Sequence, residues 1–265
     1  MDNELKYSGD FSVVIQGPLN RESLVNLNIY QQYGRVVISH WNSDDRSILD
    51  EFDVSECTII SSDLPPRKRP QDTHGISLPS PTIYWAMHSI YSGIRACTSK
   101  FFIKIRSDER ISNIEPIIKS IEENPKCFVT TPVFFKPWAA CPFHISDHLF
   151  GGDTEIFRGS YKFICDAYDG KIPFENWMVR KEQQYSETVH CRGFLRAIGA
   201  EHTKESVKEN FRIVSYDQLG EYVISYGANG TRWSNCADEE SLNPWHQPKG
   251  TWGPYESIYC IEDLF

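Results

Sequence analysis

The chain has 265 residues, of which 40% are hydrophobic and 24% are charged, as in ordinary globular proteins. Its formal net charge of -9 argues against a broad basic surface, so no nucleic-acid partner is expected. The N-terminal segment MDNELKYSGD lacks a signal-peptide pattern, and no apolar run approaches the ~18–20 residues of a membrane span. We therefore expect a cytoplasmic protein without a transmembrane segment, with at most peripheral membrane contact.

Short β-branched segments alternate with helical patterns over the first 135 residues. The predicted strands are FSVVIQ, RVVISHW, ECTIISS, KFFIKI and KCFVTTPVFF. The predicted helices between them are RESLVNLNIYQQYG, NSDDRSILDEF, TIYWAMHSIYSGIRACTS and NIEPIIKSIEENP. This alternation predicts an α/β fold, with a mostly parallel, Rossmann-like sheet flanked by helices.

A long proline-rich loop, DLPPRKRPQDTHGISLPSP, interrupts the alternation after the third strand. Loops of this length are often functional. Its cations Arg67, Lys68 and Arg69 could close over phosphates as a lid, and a solvated charge run is the alternative.

The pattern weakens in the second half of the chain. Helices are predicted in DTEIFRGSYKFICDAYDG and RKEQQYSETVHCRGFLRAIGA, and short strands in FRIVSYD and EYVISYG. The tail from Asn229 is rich in Trp, Asn, Gly and Pro and is predicted to be irregular.

The carboxyl ends of the predicted parallel strands are where open α/β sheets bind ligands. They carry Gln16-Gly17-Pro18, Trp41 and the segment Arg106-Ser107-Asp108-Glu109. Neither a dinucleotide fingerprint nor a Walker-type glycine loop follows the first strand. An amide, an aromatic ring and a cation–carboxylate cluster instead suit a nucleotide diphosphate with a bound metal. The alternative is that Asp108 caps a helix near Ser112 while Arg106 and Glu109 form a surface pair.

The stretch TIYWAMHSIYSGIRACTSKFFIKIRSDER resembles the WavE-type lipopolysaccharide-biosynthesis family of GT-A-like glycosyltransferases. Lys104, Arg106, Ser107 and Asp108 match its K-x-R-[ST]-D pattern. Further segments over residues 11–190 also resemble that family: VVIQGPL, VVISHW, FHISDHLFGGDTEIF and KEQQY.

The resemblance implies one GT-A-like domain over residues 1–265, with a nucleotide-sugar-binding half at 8–135 and an acceptor-binding half with the tail at 136–265. It implies transfer of a sugar, with inversion at the anomeric carbon, from a nucleotide-diphosphate-sugar donor to a glycan or glycolipid acceptor. The predicted donor-binding residues are Gln16, Gly17, Pro18, Trp41, Arg106, Ser107, Gly151 and Gly152. Trp41 could stack on a base or sugar, and a core position is the alternative. Gly151 and Gly152 would let the backbone approach a sugar closely, and a plain turn is the alternative.

A divalent metal, Mn or Mg, is implied by the same resemblance, with Asp108 and the tail residue His246 as its predicted ligands. The chain departs from the acidic D-x-D motif of GT-A enzymes, because Arg106 stands at the first acidic position. Strict metal dependence is therefore not expected.

A carboxylate is needed to deprotonate the acceptor hydroxyl in an inverting transfer. The candidate bases in the second half are Glu182, Asp147 and Asp153, ranked in that order by analogy with the family. Asp153 could instead cap the helix that begins at Thr154, and Glu182 could be a helpful acid at a helix start.

Two other functions remain open at this point. A sugar-nucleotide nucleotidyltransferase has a similar sheet, but it usually begins with a glycine-rich loop that VVIQGPLNR lacks. A non-catalytic glycan-binding protein would bind sugar independently of nucleotide and of Asp108.

Overall fold

The computed structural model describes residues 9–65, 81–133, 138–139, 141–173, 185–225 and 231–234. The predictions for Arg67, Lys68, Arg69, Glu182 and His246 lie outside these residues. Among the described residues, no helix is long and apolar enough to cross a membrane.

Ten strands of the described residues form two sheets. The larger sheet has the order β3-β2-β1-β4-β7-β6-β8, and the smaller has the order β10-β9-β5. The strand bounds are β1 Phe11–Gln16, β2 Arg35–Trp41, β3 Thr58–Ser62, β4 Phe101–Arg106, β5 Glu109–Ile111, β6 Phe128–Thr130, β7 Phe150–Asp153, β8 Phe211–Ile213, β9 Tyr222–Ser225 and β10 Thr231–Ser234.

The larger sheet is mostly parallel. Strands β1 to β4 pair in parallel, as do β6 and β8, while β7 runs antiparallel to both of its neighbours. The predicted GT-A-like α/β sheet is therefore confirmed. The sequence analysis does not predict β7, and its last residue, Asp153, stands at the start of the predicted helix DTEIFRGSYKFICDAYDG.

Helices cover both faces of the larger sheet. Their bounds are α1 Arg21–Leu24, α2 Leu27–Gln31, α3 Pro81–Ala96, α4 Glu115–Glu123, α5 Thr154–Tyr168, α6 Ser186–Ala197 and α7 Lys204–Asn210, with 3₁₀ helices at Arg46–Glu51 and Tyr216–Leu219. The helix predicted after β1 forms as the two short helices α1 and α2, and the predicted helix NSDDRSILDEF forms as a 3₁₀ helix.

The core consists of one apolar layer on each face of the larger sheet. Successive strand residues point to opposite faces, so in β4 Phe102 packs in the layer beneath α3, α5 and α6, while Ile103 packs in the layer beneath α2 and α4. Since residues two apart share a face, Lys104 and Arg106 follow Phe102 on the side of α3, α5 and α6. Both charged side chains therefore lie near the carboxyl end of β4, on the same face of the sheet.

Candidate active site

A pocket of about 450 Å³ opens at the carboxyl ends of β1, β2 and β4. This is where ligands bind in open α/β sheets. The residues predicted from the sequence that line it are Gln16, Gly17, Pro18, Trp41, Arg106, Ser107, Asp108 and Asp147. Residues that the sequence analysis did not select also line it, among them Asn20, Trp85, Lys104 and Ser225.

Backbone hydrogen bonds hold the strand ends together at the floor of the pocket. The Gly17 amide donates to the Ser39 carbonyl at 3.1 Å, and the Ser107 amide donates to the Gln16 carbonyl at 2.9 Å. Gly17 has a φ of 129°, and a Cβ there would lie 2.6 Å from Ser107 Oγ. Only glycine suits this position, because both the backbone conformation and the close approach to Ser107 disfavour a side chain.

Arg106 and Asp108 form a bidentate ion pair on the pocket wall. Arg106 Nε and Nη2 donate to the two carboxylate oxygens of Asp108 at 2.8 and 2.7 Å. Burial would raise the pKa of Asp108, but the charge and hydrogen bonds of Arg106 hold it below its usual value. Asp108 does not cap a helix, since β5 follows it instead.

The described residues do not fit the predicted divalent metal. Both oxygens of Asp108 are already taken by Arg106, and the described ranges contain no group of three or more His, Cys, Asp or Glu side chains that could hold an ion. The other predicted ligand, His246, lies outside them.

Glu109 is buried beside the pocket and does not form the surface pair weighed above. Its side chain is 0% exposed, and His148 Nδ1 lies 2.5 Å from Glu109 Oε1. Arg106 Nε lies 3.8 Å from the same oxygen. Glu109 lies on β5, in the small sheet formed by β5, β9 and β10. From there its carboxylate holds the side chains of His148 and Arg106 in position.

Lys104 is a buried lysine that lines the pocket. Its Nζ donates to the backbone carbonyls of Asp147 and, at 2.9 Å, of His148. Burial lowers the pKa of Lys104 to about 8, although Glu109 and Asp147 act against this shift. The two hydrogen bonds fix the segment that carries Asp147 against β4.

Asp147 is the candidate base that lies in the pocket. Ser186 Oγ donates to Asp147 Oδ2 at 2.9 Å, and His148 Nε2 lies 3.8 Å from Oδ1. Burial would raise the pKa of Asp147, but His148, Arg106 and Lys104 together hold it well below its usual range. The carboxylate is therefore ionised and lies among positively charged groups.

The other candidate base in the described residues, Asp153, lies at the far end of the sheet. It pairs with Phe101 at the start of β4, about 16 Å of strand away from Arg106 at ~3.3 Å per residue. Its carboxylate caps α5 by accepting from the amides of Glu155 and Ile156. We do not retain it as a candidate base.

Gly151 and Gly152 are also remote from the pocket and do not line it as donor-binding residues. They lie in β7, opposite Ile103 and Phe102 of β4. A Cβ at Gly151 would lie 2.4 Å from the Phe102 carbonyl oxygen, and one at Gly152 would lie 2.7 Å from the ring of Phe157. These glycines serve close packing within the sheet rather than approach to a sugar.

We expect Gly151→Ala to destabilise the fold by about 1–3 kcal/mol, because the added methyl group meets backbone. Thermal unfolding measures this loss. Gly159→Ala, in the middle of α5 with open space around its Cα, is the matched control and should not lower the melting temperature. If Gly151→Ala abolished ligand binding while leaving the melting temperature unchanged, Gly151 would again be a candidate donor-binding residue.

No protein-family model matches the chain, and no curated protein matches it significantly. Core-mannan synthase A from Aspergillus fumigatus, in a Mn/GDP form, is 10% identical over 99% of this chain and 87% of that chain, with a TM-score of 0.48. The 4-diphosphocytidyl-2C-methyl-D-erythritol synthase from Anaerococcus prevotii is 9% identical over 81% and 90%, with a TM-score of 0.44. S. aureus TarS in complex with UDP is 13% identical over 70% and 55%, with a TM-score of 0.39. At these identities and scores, the similarities carry no argument about the reaction.

Proposed function

We propose that this chain is a WavE-type, inverting glycosyltransferase that moves a sugar from a nucleotide-diphosphate-sugar to a glycan or glycolipid acceptor. The donor would bind to the half at residues 8–135, and the acceptor would bind to the half at 136–265. The observation that supports this most is the pocket at the strand ends, where Arg106 and Lys104 lie beside the ionised carboxylate of Asp147.

When the donor binds, its diphosphate would replace Asp108 as the partner of Arg106. A diphosphate offers the same bidentate geometry as the Asp108 carboxylate with more negative charge, so it competes for the guanidinium. Lys104 supplies a second positive charge nearby. Trp41 and Trp85 line the same pocket, and stacking of the nucleobase on one of these rings would complete the donor site.

Transfer would then use Asp147 as the base. Asp147 removes the proton of the acceptor hydroxyl while that oxygen bonds to the anomeric carbon and the bond from this carbon to the diphosphate breaks. Arg106 and Lys104 stabilise the negative charge that develops on the leaving diphosphate. Because the diphosphate also draws these cations away from Asp147, donor binding raises the pKa of the carboxyl and makes it a better base.

A panel of nucleoside diphosphates and nucleotide sugars, added with a chelator or with Mn²⁺, tests this proposal by thermal shift. A ligand at 100 times its Kd should stabilise the fold by about 2.7 kcal/mol. The binding ligand is then incubated with acceptors, and release of the nucleoside diphosphate is measured. Release of pyrophosphate from a nucleoside triphosphate and a sugar phosphate would instead indicate a nucleotidyltransferase. A chain that no nucleotide stabilises would contradict both enzyme functions and favour glycan binding.

A further inference from the structure

His190 is a buried imidazole with one unpartnered nitrogen near the pocket. It lies on α6 with its ring 5.6 Å from that of Phe150 and 5.4 Å from that of Tyr161. Its Nδ1 is hydrogen-bonded to the Tyr161 hydroxyl. Its Nε2 has no hydrogen-bond partner among the described residues and lies 4.0 Å from Asp147 Oδ2. A buried polar atom of this kind calls for a partner.

The protonation states of His190 and Tyr161 leave one proton on the ring and one on the hydroxyl. Burial lowers the pKa of His190 to about 3, so its ring is neutral at pH 7 and has one N–H. Burial also raises the pKa of Tyr161 well above its usual value, so its hydroxyl keeps its proton. When that hydroxyl donates to Nδ1, the ring proton resides on Nε2, which is directed at Asp147.

We infer that His190 is a positioning residue for Asp147, and that its Nε2–H orients the Asp147 carboxylate toward the acceptor hydroxyl. This rests on the proposed function, in which Asp147 is the base. The distance of 4.0 Å is too long for a hydrogen bond, and contacts of this kind commonly tighten when substrate binds. A neutral donor suits this role, because it orients the carboxylate without the loss of basicity that a full positive charge would cause.

The groups that face His190 come from three elements. Tyr161 is on α5, Asp147 precedes β7, and Lys104 is on β4. Asp147 acts to raise the pKa of His190, whereas Lys104 acts with burial to lower it. Loss of the Lys104 charge near pH 8 removes one of the causes that lower the pKa of His190, but at that pH the ring is neutral in either case.

The tautomer can be tested without a substrate by ¹⁵N NMR of histidine-labelled protein. We expect His190 to be neutral and protonated at Nε2 between pH 5 and pH 7, whereas a free histidine titrates near 6.5. An imidazolium at pH 7, or a proton on Nδ1, would overturn the inference. Either result leaves the proposed function standing.

Two substitutions separate positioning from packing. His190→Phe keeps a ring but removes the N–H, and we expect kcat to fall about tenfold or more while the donor KM stays within about twofold. His190→Gln keeps an N–H donor and should retain most of kcat. A role in packing alone predicts the reverse order, with Phe the better replacement, and that order would overturn the inference.

Two further variants check whether a lower kcat reflects loss of folding or loss of positioning. If His190→Phe unfolds because Tyr161 loses its partner, His190→Phe combined with Tyr161→Phe replaces the pair by apolar rings and should still show the lower kcat. His88→Gln, on α3 beside Asp169 and outside the pocket lining, should leave kcat unchanged. If the unmodified chain neither binds nucleotides nor transfers sugar, the proposed function is wrong. His190 then has no catalytic base to position.

Discussion

Asp147→Asn is expected to lower the rate of sugar transfer by about 10²–10⁴-fold, the usual loss when a positioned general base is removed. The amide has nearly the shape of the carboxylate and can still accept from Ser186. It cannot take a proton from the acceptor. Initial rates at saturating donor measure the loss as a fall in kcat.

Donor binding should respond in the opposite direction. Asp147 lines the pocket among Arg106 and Lys104, and it repels an incoming diphosphate. Removing its negative charge should leave the Kd of the nucleoside diphosphate unchanged or lower it. This combination of lower kcat and retained affinity distinguishes loss of a base from collapse of the pocket.

Asp153→Asn is the matched comparison. Asparagine caps helices about as well as aspartate, so α5 should remain stable, and transfer should continue at the original rate. A large loss with Asp153→Asn, or full activity with Asp147→Asn, would contradict the assignment of the base. In the second case Glu182 would be the next residue to replace.

The parallel part of the sheet was predictable because local patterns are sufficient to identify it. Strands β1, β2 and β4 are short apolar runs with buried residues on both faces, as the sequence indicates. Once these strands are assigned, the ligand pocket must lie at their carboxyl ends. The predictions for Gln16, Trp41 and Arg106 followed from this rule.

Strand β7 was not predictable from its own residues. Its sequence FGGD contains two glycines, which disfavour strands, and it is a strand only because β4 and β6 pair on either side of it. Without β7, the sequence analysis had no reason to place Gly151 and Asp153 within the sheet. They were then placed in the site by resemblance alone.

The buried charges were missed for a related reason. Glu109 follows two charged residues and has the local pattern of a surface acid, yet its partner His148 is 39 residues away. Lys104 was the one visible signal, because a lysine inside an otherwise apolar strand requires buried partners. Pairings over such separations are set by the fold, and a single sequence does not reveal them.

Arg106→Gln is expected to weaken binding of the nucleoside diphosphate roughly ten- to hundredfold, because the bidentate contact is lost and a single hydrogen bond to a charged group contributes about 1.5–3 kcal/mol. Arg106→Lys should recover only part of this affinity, since an ammonium group does not form the bidentate contact. Isothermal titration of the chain with the nucleotide that gave the largest thermal shift measures both values. Arg110→Gln is the matched control, because Arg110 pairs with Glu221 and does not line the pocket.

The same titrations also test whether Arg106 or a divalent ion neutralises the negative charge of the diphosphate. In the unmodified chain, Arg106 and Lys104 supply the positive charge that meets the diphosphate, and the oxygens of Asp108 face Arg106. We therefore expect the nucleotide to bind in the presence of a chelator. In Arg106→Gln those oxygens lose the guanidinium and become open to a hard cation, so added Mn²⁺ should strengthen binding more than it does in the unmodified chain. If chelation abolished binding to the unmodified chain while Arg106→Gln left it unaffected, a divalent ion rather than Arg106 would neutralise the donor. Asp108 would then be a metal ligand, as the resemblance implied.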